Sequence, residues 1–410
     1  MHINAGDTAW VLGAAALVLF MTPGLALFYG GMVRAKNLLA MLMQNFICMG
    51  IVTVLWVVVG YTLAFGRPGD GGLLGNFDFV GMRDLTNASI GTIPALAFVS
   101  FQLTFAVITP ALITGAIADR VRFAAWAWFV TLWSLLVYSP VAHWVFSGGW
   151  LAARGALDFA GGTVVHVNAG AAALALVLLL GPRRGWPKEP MPPHSLPLTL
   201  LGTGILWFGW FGFNAGSALA ANGVAAQAFL NTFVAAAAGM LGWLVVERVK
   251  GGHATTLGGA SGAVAGLVAI TPCAGFVGGL APVAIGAIAG AVCYLAIALK
   301  FRYGYDDALD VVAVHLVGGI IGSILLGLFA DASVNPAGAD GVFLGGGWHL
   351  FGEQVLAVAV VFAFSFVVSG AIGLALMRLL PGGMRVSEED ETGGLDLALH
   401  SETAYAHDRT

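Results

Sequence analysis

Runs of about twenty apolar residues recur along the whole chain, separated by Gly, Pro or charged breaks. They fall near 8–32, 37–65, 93–116, 122–143, 162–181, 198–220, 225–247, 255–272, 279–299, 308–331 and 350–380. A helix of about 20 apolar residues crosses the roughly 30 Å hydrocarbon core of a bilayer. The pattern therefore predicts an all-α integral membrane protein with eleven transmembrane helices. An odd number of spans places the two termini on opposite sides. The opening MHINAGDTAW carries no Lys or Arg ahead of its apolar segment, so the first run reads as a retained helix rather than a signal peptide.

Composition strengthens this picture. Of 410 residues, 59% are hydrophobic and 9% charged, against about 25% charged in soluble domains. The 59 glycines suit helices that must approach closely where lipid removes any hydrophobic drive between them. With the N-terminus outside, fourteen of the 17 basic residues fall in cytoplasmic segments or helix ends, and only Arg67, Arg83 and Arg154 lie outside. That asymmetry predicts an N-out, C-in orientation. The net charge of −4, with no basic stretch, gives no reason to expect a nucleic-acid partner. The three cysteines, Cys48, Cys273 and Cys293, suggest neither a disulfide framework nor a metal site. Two units follow: a transmembrane domain over 1–383 and an acidic, solvated cytoplasmic tail over 384–410.

The first five helices and the next five read as two halves. Each half ends on a histidine-bearing helix, GGTVVHVNAG around His166 and LDVVAVHLVGG around His315, with an aspartate eight residues earlier in both, Asp158 and Asp307. Five helices per half force the second half to start on the opposite side, which predicts an inverted repeat with its site near the midplane. At about 1.5 Å per residue, His166 lies about one turn inside the outer end of its helix and His315 roughly two turns inside the inner end of its own. Both then approach the middle of the membrane.

Ionisable groups at that depth are costly and mark pathways, although a neutral imidazole bonded to a backbone carbonyl would also serve. Phe101 and Phe105 in FQLTFAVIT share a helix face, as do Trp210, Phe213 and Ser217 in WFGFNAGS. The assigned directions predict an outer layer of Phe101 and Ser217 over a lower layer of Phe105 and Phe213. Taken singly, such rings are more often core packing. Asp158 suits a helix N-terminus, and Asp307 with Asp310 is expected to cap the start of the tenth helix. No phosphate-binding loop, metal spacing or nucleophile elbow is present in the sequence, so no enzyme and no cofactor is expected.

PGLALFYGGMVRAKN, FQLTFAVIT, ALDFAGGTVVHVNAG, WFGFNAGSAL, ASGAVAGLVAITP and DDALDVVAVHLVGG together resemble the ammonium transporter (Amt/Mep/Rh) family, bacterial Amt type, nearly from end to end. The tail segment GLDLALHSETAY is similar to the regulatory tail of bacterial members. The resemblance implies a homotrimer with one pore per subunit in the cell inner (plasma) membrane, carrying ammonium or ammonia, with methylammonium as analogue. It also implies contact of the tail with a PII-type signal protein. Carried over by motif, substrate recruitment falls on Phe101, Phe146, Ser217 and Asp158, the gate on Phe105 and Phe213, and the pore on His166 and His315.

Two departures stand out. Phe146 occupies VFSGGW where the family more usually has tryptophan, which implies a weaker cation–π face. Leu316 follows the pore histidine where glycine is more common, which would narrow or repack the wall. A sensor, or a gas channel of the Rh type, remains the alternative to transport.

Overall fold

The computed structural model describes residues 2–67 and 72–405 and is almost wholly helical; the basic residue Arg409, counted above on the inner side, lies outside the described residues. Apolar side chains with no polar partner to seek leave the backbone to satisfy itself, and in lipid a helix does so within one segment. In chain order the helices are α1 (Ala5–Met32), α2 (Ala35–Phe65), α3 (Ala95–Ile113), α4 (Phe123–Ala153), α5 (Gly162–Leu180), α6 (Leu196–Gly216), α7 (Gly223–Gly251), α8 (Thr256–Ile270), α9 (Ala281–Tyr303), α10 (Val312–Phe329) and α11 (His349–Leu379). Ten of them are long and apolar enough to cross a bilayer; α8, at 15 residues, is the exception.

Local chemistry explains where the boundaries differ from expectation. Helix α8 stops at Ile270, short of residue 272: Thr271 keeps helical angles (φ −52°, ψ −50°), and Pro272 has no N–H to continue the ladder. Helix α10 starts at Val312 rather than 308 because Asp310 adopts φ 63°, a left-handed conformation that no helix continues through. Helix α4 runs past 143 to Ala153, through a break at Ser147–Gly149.

Four helices contain a π turn: Trp56–Gly60 in α2, Ser134–Tyr138 in α4, Gly162–Val167 in α5 and Val312–Val317 in α10. Such turns are rare and often mark functional positions. Glycines set the helix spacing. A Cβ on Gly212 would sit 2.7 Å from Leu17 Cβ, and one on Gly216 2.6 Å from Ala14 Cβ, so α6 lies directly on α1. Exposed Phe20, Val54, Trp128, Phe208 and Leu241 stud the outer faces, as suits contact with lipid.

Through residue 405 the tail lies against the bundle on one side and is open to solvent on the other, where a wholly solvated segment was expected. It forms two short helices, α12 (Glu388–Gly393) and α13 (Leu395–His400), laid against the bundle. Asp396 accepts the Ala40 N–H at 2.8 Å, and Asn37 Oδ1 accepts the Leu395 N–H at 2.8 Å. Arg385 pairs with Glu391 at 2.8 Å. Asp396 meets an N–H at the start of α2, and Glu388 and Glu391 reach Arg184 of the 182–185 loop, while Glu389 stays exposed.

Candidate functional site

Helix α5 is opened by Asp158. One carboxylate oxygen accepts the N–H groups of Gly161 and Gly162, each at 2.7 Å. The other accepts the Thr163 N–H at 2.8 Å, the Thr163 hydroxyl at 2.6 Å and the Val164 N–H at 3.2 Å. Gly161, at φ 119°, makes the turn that points these groups back at the carboxylate. The following π turn carries His166.

Helix α10 repeats the device. Asp307 accepts the Val311 N–H at 3.1 Å and the Val312 N–H at 2.7 Å, while left-handed Asp310 stands where Gly161 stands in α5. The π turn after it carries His315. Asp307 thus caps the helix as expected. The Asp310 carboxylate instead binds Lys300 Nζ at 2.6 Å.

The two π turns bring the histidines together. Their Nδ1 atoms lie 3.3 Å apart and their rings are nearly parallel, 5.3 Å between centroids. Both side chains are buried. Two neutral imidazoles make such a bond with one proton between the Nδ1 atoms, which leaves one Nε2 as donor and the other as acceptor. Backbones this close need glycine. A Cβ on Gly170, four residues after His166, would reach 2.6 Å from Leu316 N; one on Gly319, four residues after His315, would reach 3.0 Å from His166 Cβ. Leu316 is therefore packed over Gly170 at the crossing of α5 and α10.

Phe105 and Phe213 stack at 4.2 Å, with Phe213 6.2 Å from the His166 ring. Trp210 lies parallel to His166 at 5.5 Å and is held there by its Nε1–H on Thr271 Oγ1 at 2.9 Å. Alongside the histidine pair is a small void of about 10 Å³, lined among others by Phe28, Leu112, Leu206, Phe213, His166 and His315. That is room for the centre of about one water-sized molecule.

A wider cavity of about 370 Å³ opens at the Asp158 end, lined among others by Phe105, Phe146, Asp158, Ser217 and Gln102. Four of the residues read from the sequence thus meet here. Phe101 does not line it. Its ring is wholly buried, 4.9 Å from Phe105, and would lie 2.7 Å from a Cβ on Gly216, so it packs at the level of Ser217 behind the cavity wall. Phe146 faces Phe105 edge-on at 6.5 Å.

At the Asp307 end a cavity of about 290 Å³ is lined by Arg34, Asp119, Arg183, Lys300 and Asp310. Behind it is a buried ion network that the sequence reading missed. Arg183 binds Asp306 through Nε at 2.8 Å and through Nη2 at 2.9 Å, and Arg120 joins the same carboxylate at 3.5 Å. Burial alone would push Asp306 up, but the Arg183 and Arg120 guanidiniums hold it below the usual carboxylate value. Its neighbour goes the other way. Burial and the nearby Asp310 charge push Asp307 up to about 6, against the opposing pull of Lys300 and two N–H groups. Arg120, Arg183 and Asp306 were visible only as charges interrupting apolar runs, which signals a helix end and not a pairing.

A bundle of apolar helices, with paired histidines buried on the π turns of two of them, defines a multi-pass membrane protein. The Ammonium Transporter Family model matches residues 9–405. An ammonium transporter of Mycobacterium tuberculosis (strain ATCC 25618 / H37Rv) is 50% identical over 98% of this chain and 90% of its own length. One from Bacillus subtilis (strain 168) is 50% identical over 98% and 99%. Among solved structures, Candida albicans Mep2 superposes with a TM-score of 0.89 at 35% identity, over 95% of this chain and 88% of that one. A sensor Amt protein gives 0.89 at 31%, over 96% and 98%. The chain belongs to the ammonium transporter family.

Proposed function

We propose that the chain takes up ammonium at the Asp158 end, removes its proton near the Phe105–Phe213 stack, and passes ammonia alongside His166 and His315. In this reading the Asp158 end is external and the Asp307 end cytoplasmic, in line with the basic-residue asymmetry and an N-out, C-in chain of eleven spans. The matched sequence of capping aspartate, positive φ, π turn, histidine and glycine in α5 and α10 supports an inverted repeat of five plus five helices. The family membership supports reading it as a homotrimer in the cell inner (plasma) membrane, with the tail docked for a PII-type protein.

The observation that carries the proposal is the void alongside the histidines, with Phe213 in its wall and room for about one water-sized molecule. Ammonium brought there whole would exchange its hydration shell for aromatic faces and hydrocarbon, a cost far above what single contacts return. Ammonia carries no charge and can accept or donate to an imidazole Nε2. The proton has a route of its own: the Nδ1–Nδ1 bond lets one histidine gain a proton as the other gives one up. Asp158 supports this chemistry at one remove. Its oxygens are engaged by the helix start, so it adds negative potential to the cavity and holds the π turn that aims His166.

Uptake of labelled methylammonium by vesicles carrying a His166→Ala, His315→Ala double variant tests the route, with a loss of selective uptake expected. Undiminished, ammonium-selective uptake would sink it. A sensor can share this fold, since one of the structural neighbours is a sensor Amt protein. Proteoliposome currents on adding ammonium separate the cases: a sensor gives neither current nor flux, a gas channel flux alone, and a transporter that carries the proton gives both.

A further inference from the structure

Several polar side chains line the cavity at the Asp158 end, and most of their acceptors are engaged within the protein. Asp158 takes four N–H groups and a hydroxyl. Asn222 Oδ1 accepts the Ala225 N–H at 3.0 Å, and Asn335 Oδ1 the Ala337 N–H at 3.1 Å. Ser217 donates its hydroxyl proton to the Phe213 carbonyl at 2.8 Å, which leaves its oxygen free to accept.

Gln102 is the exception. Its side chain lines the cavity, the residue is only 8% exposed, and its amide oxygen is buried with no hydrogen-bond partner among the described residues. Buried amide groups are ordinarily bonded, and one left unpaired weakens the fold. Such a group is explained when its partner is a ligand.

We infer that Gln102 is a ligand of the cation in this cavity, its side-chain carbonyl accepting an N–H of ammonium held between Phe105, Phe146 and Ser217. The terminal torsion of glutamine is broad and roughly two-fold. Turning the amide over therefore brings the oxygen to the cavity without giving up a bond that the oxygen now makes. An ammonium ion leaving water exchanges oxygen acceptors for whatever the wall offers. Aromatic faces supply attraction to the charge but no lone pairs. Ser217 supplies one acceptor and Gln102 a second. With phenylalanine at 146 supplying the ring, the carbonyl carries more of the recognition.

The inference rests on reading this cavity as the ammonium entrance, and the experiment separates the two. Full-length protein in proteoliposomes is assayed for ammonium-dependent current and flux, wild type beside Gln102→Met and Gln102→Glu. Gln102→Met keeps the length of the side chain and removes the acceptor. It should raise the half-saturating ammonium concentration about tenfold, while the unfolding temperature holds or rises because an unpaired buried group has gone. Gln102→Glu should lower half-saturation at pH 7.5 and lose that gain as the new carboxyl protonates. A purely structural glutamine predicts the reverse pattern for Met, with stability falling and affinity kept. If half-saturation is unchanged in Gln102→Met and shows no altered pH dependence in Gln102→Glu, Gln102 is not a ligand. A wild type that carries no ammonium at all overturns the entrance reading and this inference with it.

Discussion

Asp158 and Asp307 each stand eight residues ahead of a buried histidine and each cap a π turn, yet their surroundings differ. Asp158 borders a cavity of about 370 Å³ and takes four N–H groups and a hydroxyl. Asp307 is 1% exposed, takes two N–H groups, and lies beside Asp310, with Lys300 bridging the two through the Asp307 carbonyl and the Asp310 carboxylate. One backbone device thus serves both ends of the histidine pair. At the Asp158 end its stability comes from many hydrogen bonds to a single carboxylate. At the Asp307 end it comes from a buried ion network, in which each charge depends on its partners being present.

That difference predicts unequal fragility. Arg183→Ala should cost about 3–5 kcal/mol, because Asp306 would be left buried with only Arg120 beside it. The ion pair at the opposite end is a useful control. Arg154 holds Glu353 through two bonds at 2.8 and 2.9 Å, its own side chain 52% exposed and that of Glu353 8%, so Arg154→Ala should cost less than Arg183→Ala, about 1–3 kcal/mol. Thermal unfolding of both variants in the same lipid–detergent mixture checks this, and equal losses would break the comparison.

Exchanging each capping aspartate for asparagine sharpens it. Asp158→Asn turns an N–H donor toward groups that are themselves donors and should cost about 2–3 kcal/mol at any neutral pH. Asp307→Asn loses one bond, about 1 kcal/mol, and removes a charge that is costly to bury. The pH dependence carries the sign. Asp307 is raised to about 6 from an ordinary value of 3.8. Its folded form is therefore favoured while protonated, and that advantage is lost as pH rises from about 4 to about 6. Wild type should lose stability across this window through Asp307, and Asp307→Asn should not. Asp306, held below its usual value, acts in the opposite sense and lower: its contribution is present above about pH 4 and lost on acidification. An unfolding temperature whose slope between pH 4 and 6 is the same in both proteins would show that Asp307 does not titrate there.

The membrane helices were legible because lipid leaves a sequence few choices, and apolar length carries the assignment. Helix α8 was over-extended because its Gly-rich apolar run continues past Ile270 in composition while Pro272, with no N–H to donate, ends the hydrogen-bond ladder. His166 and His315 were legible because an imidazole among valines is conspicuous, and direction arithmetic put both at one depth; they now lie 3.3 Å apart. The π turns were not legible, since the same residues could continue an α-helix. Phe101 shows the limit of face arguments. Spacing of i,i+4 places it on the Phe105 face, but only the missing Cβ of Gly216 on another helix decides that its ring sinks behind and not into the cavity. Pairings such as Arg183 with Asp306, 123 residues apart, leave no local signal. Nor does an unpaired amide such as Gln102, whose significance lies in the bonds its neighbours have already made.

The smallest expected effect concerns the ring at position 146. Phe146 stands edge-on to Phe105 at 6.5 Å, half-buried at the mouth of the cavity. Tryptophan offers a cation a stronger face than phenylalanine, and such contacts contribute about 0.5–2 kcal/mol in all, so exchanging one ring for the other should change binding by only part of that. Phe146→Trp should therefore lower the half-saturating methylammonium concentration about threefold, with stability unchanged because the cavity has room beside the ring. The same exchange also bears on the two ends. It acts only where the ion is still charged, so it should alter uptake from the Asp158 side and leave efflux from the Asp307 side unaffected at saturating concentration. A proportional change in both directions would mean that the ring limits passage of the neutral molecule and not capture of the ion.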